Sequence, residues 1–184
     1  MWSRDMTRLP RLAGALMLAG LVAGCFEPLY GERTVGGGSA VRDSLASVDV
    51  VQIVAPKGSP LSRIAVETRN QLVFDLTGGG SPNPPTHTLI IRLVPTGTTV
   101  ILDPVTLRPE FNNFGLDAFY TLSEIGSGKA VMTAQANTLV TYNAPGQQQR
   151  FARARAQRDA ETRASKLIAD QIRSRLASYF VAGT

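Results

Sequence analysis

The stretch that decides the fold is Arg158-Asp-Ala-Glu-Thr-Arg-Ala-Ser-Lys-Leu-Ile-Ala-Asp-Gln-Ile-Arg-Ser-Arg-Leu-Ala-Ser-Tyr-Phe180, near the end of a chain of 184 residues. Its apolar residues recur every three or four positions, which places them on one face of an α-helix. The stripe consists of Ala160, Ala164, Leu167, Ile168, Ile172, Leu176 and Tyr179. We expect a helix that begins near Arg150. Leu167, Ile168 and Ile172 should pack this helix against a sheet.

The segments just upstream have the patterns of β-strands. Apolar and polar residues alternate over residues 116–122 and again over 132–142, with a glycine-containing turn at 126–129 between them. This pattern predicts a hairpin with one apolar and one polar face. Residues 86–94 are apolar on both faces, as in a central strand. The prolines within residues 95–113 predict a long loop, and loops of that length are usually functional or mobile.

The first half of the folded region predicts one more strand and one more helix. A β-branched run, Val48–Val54, has the length of a strand. Ser59 offers a helix N-cap, and the predicted helix runs from Pro60 to Leu76, ending before the glycines at 78–80. The resulting order, β-α-β-β-β-α, predicts an α+β fold. We expect a two-layer sandwich, with a mostly antiparallel four-stranded sheet and two helices on one face.

The N-terminus has the features of an export signal. Arg4, Arg8 and Arg11 precede an apolar run at residues 12–23, which is shorter than the roughly 20 residues of a membrane-spanning helix. In a bacterial chain, the following Val-Ala-Gly-Cys25 resembles the lipobox of lipoproteins, whose cysteine is acylated and becomes the first residue. The alternative is an ordinary secretory signal with an incidental cysteine.

These patterns divide the chain into three regions. Residues 1–24 are the lipoprotein signal peptide, 25–46 the lipidated N-terminus with a glycine-rich flexible tether, and 47–184 a single domain. Since Cys25 is the only cysteine, its acylation leaves the mature domain without a disulfide or a thiolate metal site.

The charge of the mature chain is mildly basic. The formal net charge of the whole chain is +5; without the three Arg and one Asp of residues 1–24, 16 basic and 13 acidic residues remain, or +3. The basic residues cluster at the start of the last helix: Arg150, Arg153, Arg155, Arg158, Arg163 and Lys166. Such a cluster can meet phosphate groups of lipids or nucleic acids. The alternative is a solvated helix face.

The sequence contains few of the residue patterns that catalysis requires. His87 is the only histidine, and the nucleophile motif G-x-S-x-G is absent from the sequence. The chain also lacks a second histidine and the dense acidic spacing of a calcium loop. We expect no enzyme activity, cofactor or metal. An exported chain meets little nucleic acid, so we expect no nucleic-acid partner and a function based on binding.

Two segments resemble a known family. The lipidation motif is followed by Phe26-Glu-Pro-Leu-Tyr-Gly31, and the closing helix has the opening Asp-Ala-Glu-x-Arg-Ala and the end Arg-Leu-Ala-x-Tyr/Phe. Both resemble the alphaproteobacterial LptE family of lipopolysaccharide-assembly lipoproteins. The resemblance implies a two-layer α/β fold and a lipid anchor in the outer membrane, on its periplasmic side. It also implies an LptD-like β-barrel partner, which the domain would plug while assisting lipopolysaccharide insertion into the outer leaflet.

Other functional classes remain open at this stage. An auxiliary lipoprotein of an ABC-type phospholipid-trafficking system would use a similar anchor and a small α/β domain. A periplasmic hydrolase would require a role for His87. Within the LptE-like interpretation, Cys25 is the lipidation site. Loop position suggests Arg108 and Lys129 as contacts for lipopolysaccharide or the partner, and the helix cluster adds Arg150, Arg153, Arg155 and Arg158.

Overall fold

The computed structural model describes residues 41–102, 109–143 and 149–182, without the side chains of 98–102, 109 and 110. From Arg42 onward, the described residues form one compact unit. The helices are α1 (Val41–Ala46), α2 (Pro60–Thr77) and α3 (Arg150–Ala182); the strands are β1 (Val48–Val50), β2 (His87–Leu102), β3 (Pro109–Glu124) and β4 (Ala130–Asn143). The predicted signal peptide, Cys25 and Arg108 lie outside the described residues.

The four strands form one mixed sheet in the order β1-β2-β3-β4. β1 pairs in parallel with β2, whereas the β2–β3 and β3–β4 pairs are antiparallel. α2 and α3 pack on each other, and α3 also packs on β3 and β4. The predicted α+β class, with its mostly antiparallel four-stranded sheet and helices on one face, is confirmed; α1 is a short additional helix.

The core lies between the sheet and the two long helices. Alternate residues of the strands point into it, as the period of two requires. The fully buried side chains on this face of the sheet include Leu89, Leu116, Ala118 and Leu122. From α3 the core receives Ala160, Ala164, Ile168, Ala169, Ile172, Leu176 and Ala177, all fully buried.

The expectation for Leu167 is wrong, although the rest of the stripe is close to the observed face. The Leu167 side chain is 47% exposed, whereas that of Ile168 is fully buried. Successive helical residues are rotated by about 100°, so the neighbour of a residue at the centre of the buried face points to its edge. Helix α3 therefore packs through Ile168 and Ile172.

Capping at both ends explains the bounds of α2. Ser59 is the N-cap, and its hydroxyl accepts a hydrogen bond of 3.2 Å from the backbone N–H of Ser62. Pro60 follows at the first helical position, where its missing N–H costs nothing. At the other end Gly78 adopts the left-handed conformation with φ of 63°. The predicted helix is confirmed with one additional residue.

The predicted long loop over residues 95–113 is wrong over most of its length. β2 continues to Leu102 and β3 begins at Pro109, with Pro95 opposite Leu116 in the β2–β3 pairing. Beyond Leu89, β2 has no partner on the β1 side among the described pairings. A proline is tolerated there because its missing N–H can face the open side of an edge strand.

The predicted tether also ends earlier than expected. Its last six residues form helix α1, and Leu45 is only 2% exposed. The backbone N–H of Asn83 donates to the carbonyl of Ala46, which joins this helix to the segment before β2. Two buried residues, Val41 and Leu45, in fewer than two turns are too few to establish a helical period, so this helix could not be recognised from the pattern.

Candidate functional site

The direction of α3 relative to the sheet is shown by two of its side chains, which bond to the backbone of the edge strand β4. Gln171 donates a hydrogen bond of 3.0 Å to the carbonyl of Asn137, and Arg163 donates one of 3.5 Å to the carbonyl of Thr141. Eight helical residues and four strand residues both span about 12–13 Å. The helix therefore runs antiparallel to β4, and its N-terminal turns extend past the end of that strand.

These N-terminal turns form a cationic projection that we call the arginine arm, residues 150–158. Every side chain in the arm is exposed except those of Arg153 and Ala156, which are half-buried. Phe151 is 85% exposed. The arm has four arginines and no acidic residue. Exposed cations next to an exposed aromatic ring suit an anionic, amphiphilic surface.

The structure separates the predicted contact residues into two groups. Lys129 lies in the exposed turn before β4, twelve residues from Thr141, which corresponds to about 40 Å along the strand direction. Arg108 is outside the described residues. Arg150, Arg153, Arg155 and Arg158 share the arm. A single headgroup cannot contact both the arm and Lys129.

An ion pair between a buried carboxylate and a half-exposed arginine anchors α3 just after the arm, and sequence reasoning missed it. Glu161 is 3% exposed, pairs with Arg63 on α2, and accepts a hydrogen bond of 3.0 Å from Gln157. Glu161 lies in helical register with the buried Ile168 and Ile172. A carboxylate at an apolar position of the stripe was the available signal, since buried charges need a partner.

Two further ion pairs lie on the outer side of α3. Asp159 and Arg163 approach to 2.8 Å, and Asp170 and Arg173 to 3.3 Å. Exposed pairs of this kind contribute little to stability, typically below about 1 kcal/mol.

The outer face of the sheet is not covered by any described helix. Three large apolar residues on it remain accessible: Ile90 is 55% exposed, Phe119 36% and Leu139 62%. The guanidinium carbon of Arg92 lies 4.4 Å above the centre of the Phe119 ring, in a cation–π contact. Threonine, asparagine and glutamine occupy most of the other outward positions on β4.

His87 lies at the start of β2, far along the sheet from the arm. Its Nδ1 is 2.8 Å from the hydroxyl oxygen of Thr86, and its ring meets Phe180 of α3 edge-on at 5.3 Å. The described ranges contain no cluster of three or more potential metal ligands. None of the helices described is both long and apolar enough to cross a membrane.

Comparisons with known proteins identify relatives by fold. No protein-family model matches the chain, and no curated protein is similar to it in sequence. Among solved structures, the chain is similar to a candidate lipoprotein from Caulobacter crescentus, with 20% identity and a TM-score of 0.60 over 78% of this chain and 97% of that one. It is also similar to rare lipoprotein B from Shewanella oneidensis, with 15% identity and a TM-score of 0.51 over 74% and 96%. The fold is thus shared with proteins described as lipoproteins.

Proposed function

We propose that the protein is an outer-membrane lipoprotein of the LptE type, which binds an LptD-like β-barrel and assists lipopolysaccharide assembly. The observation that carries the proposal is the fold shared with rare lipoprotein B over nearly the whole of that protein's structure. The motif ending in Cys25 supplies the anchor, and the closing helix supplies the family resemblance. The protein acts by binding and is not an enzyme.

The arginine arm is the part of the domain that meets lipopolysaccharide phosphates in this proposal. Its four arginines extend over about two and a half helical turns, without an acidic residue between them. One guanidinium group can donate two parallel hydrogen bonds to two oxygens of a phosphate group. An exposed arginine can do this at the surface, so its charge is not buried in the apolar core. Lys129 lies too far away to contribute to the same contact.

The anchor is tested by replacing Cys25 with alanine. We expect the variant to lose palmitate labelling and to remain soluble or in the inner membrane as a precursor. Equal labelling of variant and wild type would show that Cys25 is not acylated.

The partner is tested by affinity purification of the wild-type chain after detergent solubilisation. A β-barrel protein that co-purifies in a fixed ratio supports the proposal. Co-purification of an ABC permease instead would favour the phospholipid-trafficking alternative.

The arm is tested by replacing Arg150, Arg153, Arg155 and Arg158 with glutamine. Three of these side chains are exposed, and such substitutions typically change stability by no more than about 0.5 kcal/mol each. Because Arg153 is half-buried, circular dichroism first checks that the variant is folded. We expect weaker binding to purified lipopolysaccharide and a reduced dependence on salt, because salt screens exposed charges beyond about 8–10 Å. Lys129→Ala is the matched control. If Lys129→Ala weakens binding while the arm variant does not, the contact lies at the opposite end of the domain.

A further inference from the structure

A cavity of about 330 Å³ opens between α2 and the extended segment that follows β1. Its lining consists of Gln52, Ile53, Ala65, Val66, Arg69 and Asn70. Ile53 and Ala65 are buried and form an apolar floor, whereas Gln52 and Asn70 are exposed. The described lining contains no carboxylate, so the single charge at this cavity is the guanidinium of Arg69.

Arg69 is held in place at the mouth of the cavity. Its Nε donates a hydrogen bond of 2.9 Å to the carbonyl of Val50, on the open edge of β1. This bond fixes the plane of the half-buried guanidinium. Among the described residues, no partner bonds to its two terminal nitrogens. An oriented cation with two available donor groups is therefore already formed.

The polar side chains that line the cavity favour a phosphate group over a carboxylate. The terminal nitrogens of a guanidinium match two oxygens of a phosphate group. Gln52 and Asn70 line the same cavity as Arg69, and their side-chain amides make no hydrogen bond to the described residues. A phosphate monoester has three terminal oxygens, so it can use both the guanidinium and the amides, whereas a carboxylate has only two.

A second cavity, of about 250 Å³, also has Arg69 in its lining and is a poorer site for an anion. Its lining includes Asp49 as well as Arg69. An exposed carboxylate there would repel a phosphate group. The arrangement of charges therefore favours the cavity of Gln52 and Asn70.

We propose that the cavity between Gln52 and Asn70 binds a phosphate monoester, with Arg69 holding two phosphate oxygens. The carbon chain of the ester lies on Ile53 and on Val66, which is 54% exposed. All of these residues belong to the β1–α2 part of the domain, so the proposal does not depend on the arginine arm or on the proposed function.

The test uses the full chain in dodecyl maltoside, with inorganic phosphate, hexyl phosphate and hexanol as probes. We expect saturable binding of hexyl phosphate, with amide NMR shifts at Gln52, Ile53 and Asn70, and no such binding of hexanol. Hexyl phosphate should bind more tightly than inorganic phosphate, because its chain covers the apolar floor. Equal affinities would assign free phosphate as the ligand and overturn the contact with the ester chain.

Variants separate a binding site from a structural role of Arg69. Arg69→Met should weaken hexyl phosphate binding about tenfold or more, because hydrogen bonds to charged groups are the strong ones. This variant also loses the bond to Val50, so a second variant avoids that bond. Gln52→Ala combined with Asn70→Ala should leave the melting temperature unchanged and weaken binding about fivefold. Lys129→Met, which removes an exposed cation elsewhere, should bind as the wild type does.

Binding experiments with lipid vesicles distinguish binding to a membrane surface from binding of a single small molecule. Phosphatidylcholine vesicles containing phosphatidic acid should compete with hexyl phosphate at the same residues. Binding to such vesicles without any saturable binding of hexyl phosphate would overturn the site. Affinity that is unchanged in both the Arg69 variant and the double variant would also overturn it.

Discussion

The two parts of helix α3 are built from similar residues but are held in different ways. From Ala160 to Ala177 the helix buries nine side chains, whereas no side chain of the arginine arm is fully buried. Alanine and arginine, which favour helices, fill most of the arm, so it extends a helix that the buried part has already nucleated. Burial thus determines where α3 lies, and the arm determines which charges it presents beyond the sheet.

The largest effect is expected from truncating the buried part. The Ile172 side chain is fully buried in the core. Replacing such a side chain with alanine typically lowers the unfolding free energy by about 2–5 kcal/mol. Leu167→Ala, on the same helix but 47% exposed, should lower the unfolding free energy by less than about 1 kcal/mol. Urea denaturation measures both. Similar losses for the two variants would mean that the helix is rotated relative to the packing described above.

An effect of intermediate size is expected from comparing two carboxylates near the start of the buried part of α3. Replacing the buried Glu161 should lower stability more than replacing the exposed Asp159. Glu161→Ala removes the partner of Arg63, and we expect a loss of about 1–2 kcal/mol, since the Arg63 side chain is 49% exposed and can be rehydrated. Asp159→Ala removes an exposed pair and should change stability by less than about 0.5 kcal/mol. Thermal unfolding of both variants checks this difference. An equal effect would place Glu161 in solvent.

A smaller effect on stability should appear at high pH, from the buried side chain of Tyr120 on β3. Burial raises the pKa of the Tyr120 phenol, and the nearby charge of Arg175 partly offsets this increase. The folded state therefore keeps this proton when the unfolded state, with a pKa of about 10, begins to lose it. Stability from this group is complete below about pH 10 and falls as pH rises further, by at most about 1.4 kcal/mol per pH unit.

Tyr120→Phe isolates this contribution, because phenylalanine has no proton to lose. The difference in unfolding free energy between wild type and variant should shift in favour of the variant above pH 10. A difference that stays constant from neutral to alkaline pH would contradict the burial of the phenol.

The smallest effect is expected in the arm itself. Phe151→Ala removes a side chain that is 85% exposed, so the unfolding free energy should change by less than about 0.5 kcal/mol. Chemical denaturation followed by circular dichroism measures this change. A loss comparable to that of Ile172→Ala would show that the arm packs against another part of the chain.

Much of this architecture could be predicted from local patterns. The stripe of α3, the Ser59 cap of α2 and the alternation in β3 and β4 each depend on neighbours within a few residues, so the sequence shows them directly. The extension of β2 through Pro95 could not be predicted in this way. Whether a proline breaks a strand depends on whether that strand has a neighbour on the side of the missing N–H, and this is a property of the sheet.

The sequence by itself determined the class of fold and the helical stripe, and it contains a motif ending at Cys25 that resembles a lipobox, because these depend on the spacing of residue types along the chain. Only the tertiary structure decided which cations lie together. It places Lys129 about 40 Å from Thr141 along the direction of β4, and it brings Arg63 to Glu161 across 98 residues. It also places Arg69 and Gln52 in the lining of one cavity. The spacing of hydrophobic residues along the chain predicts which side chains are buried. The partners of charged side chains depend on how elements that are distant in sequence pack together.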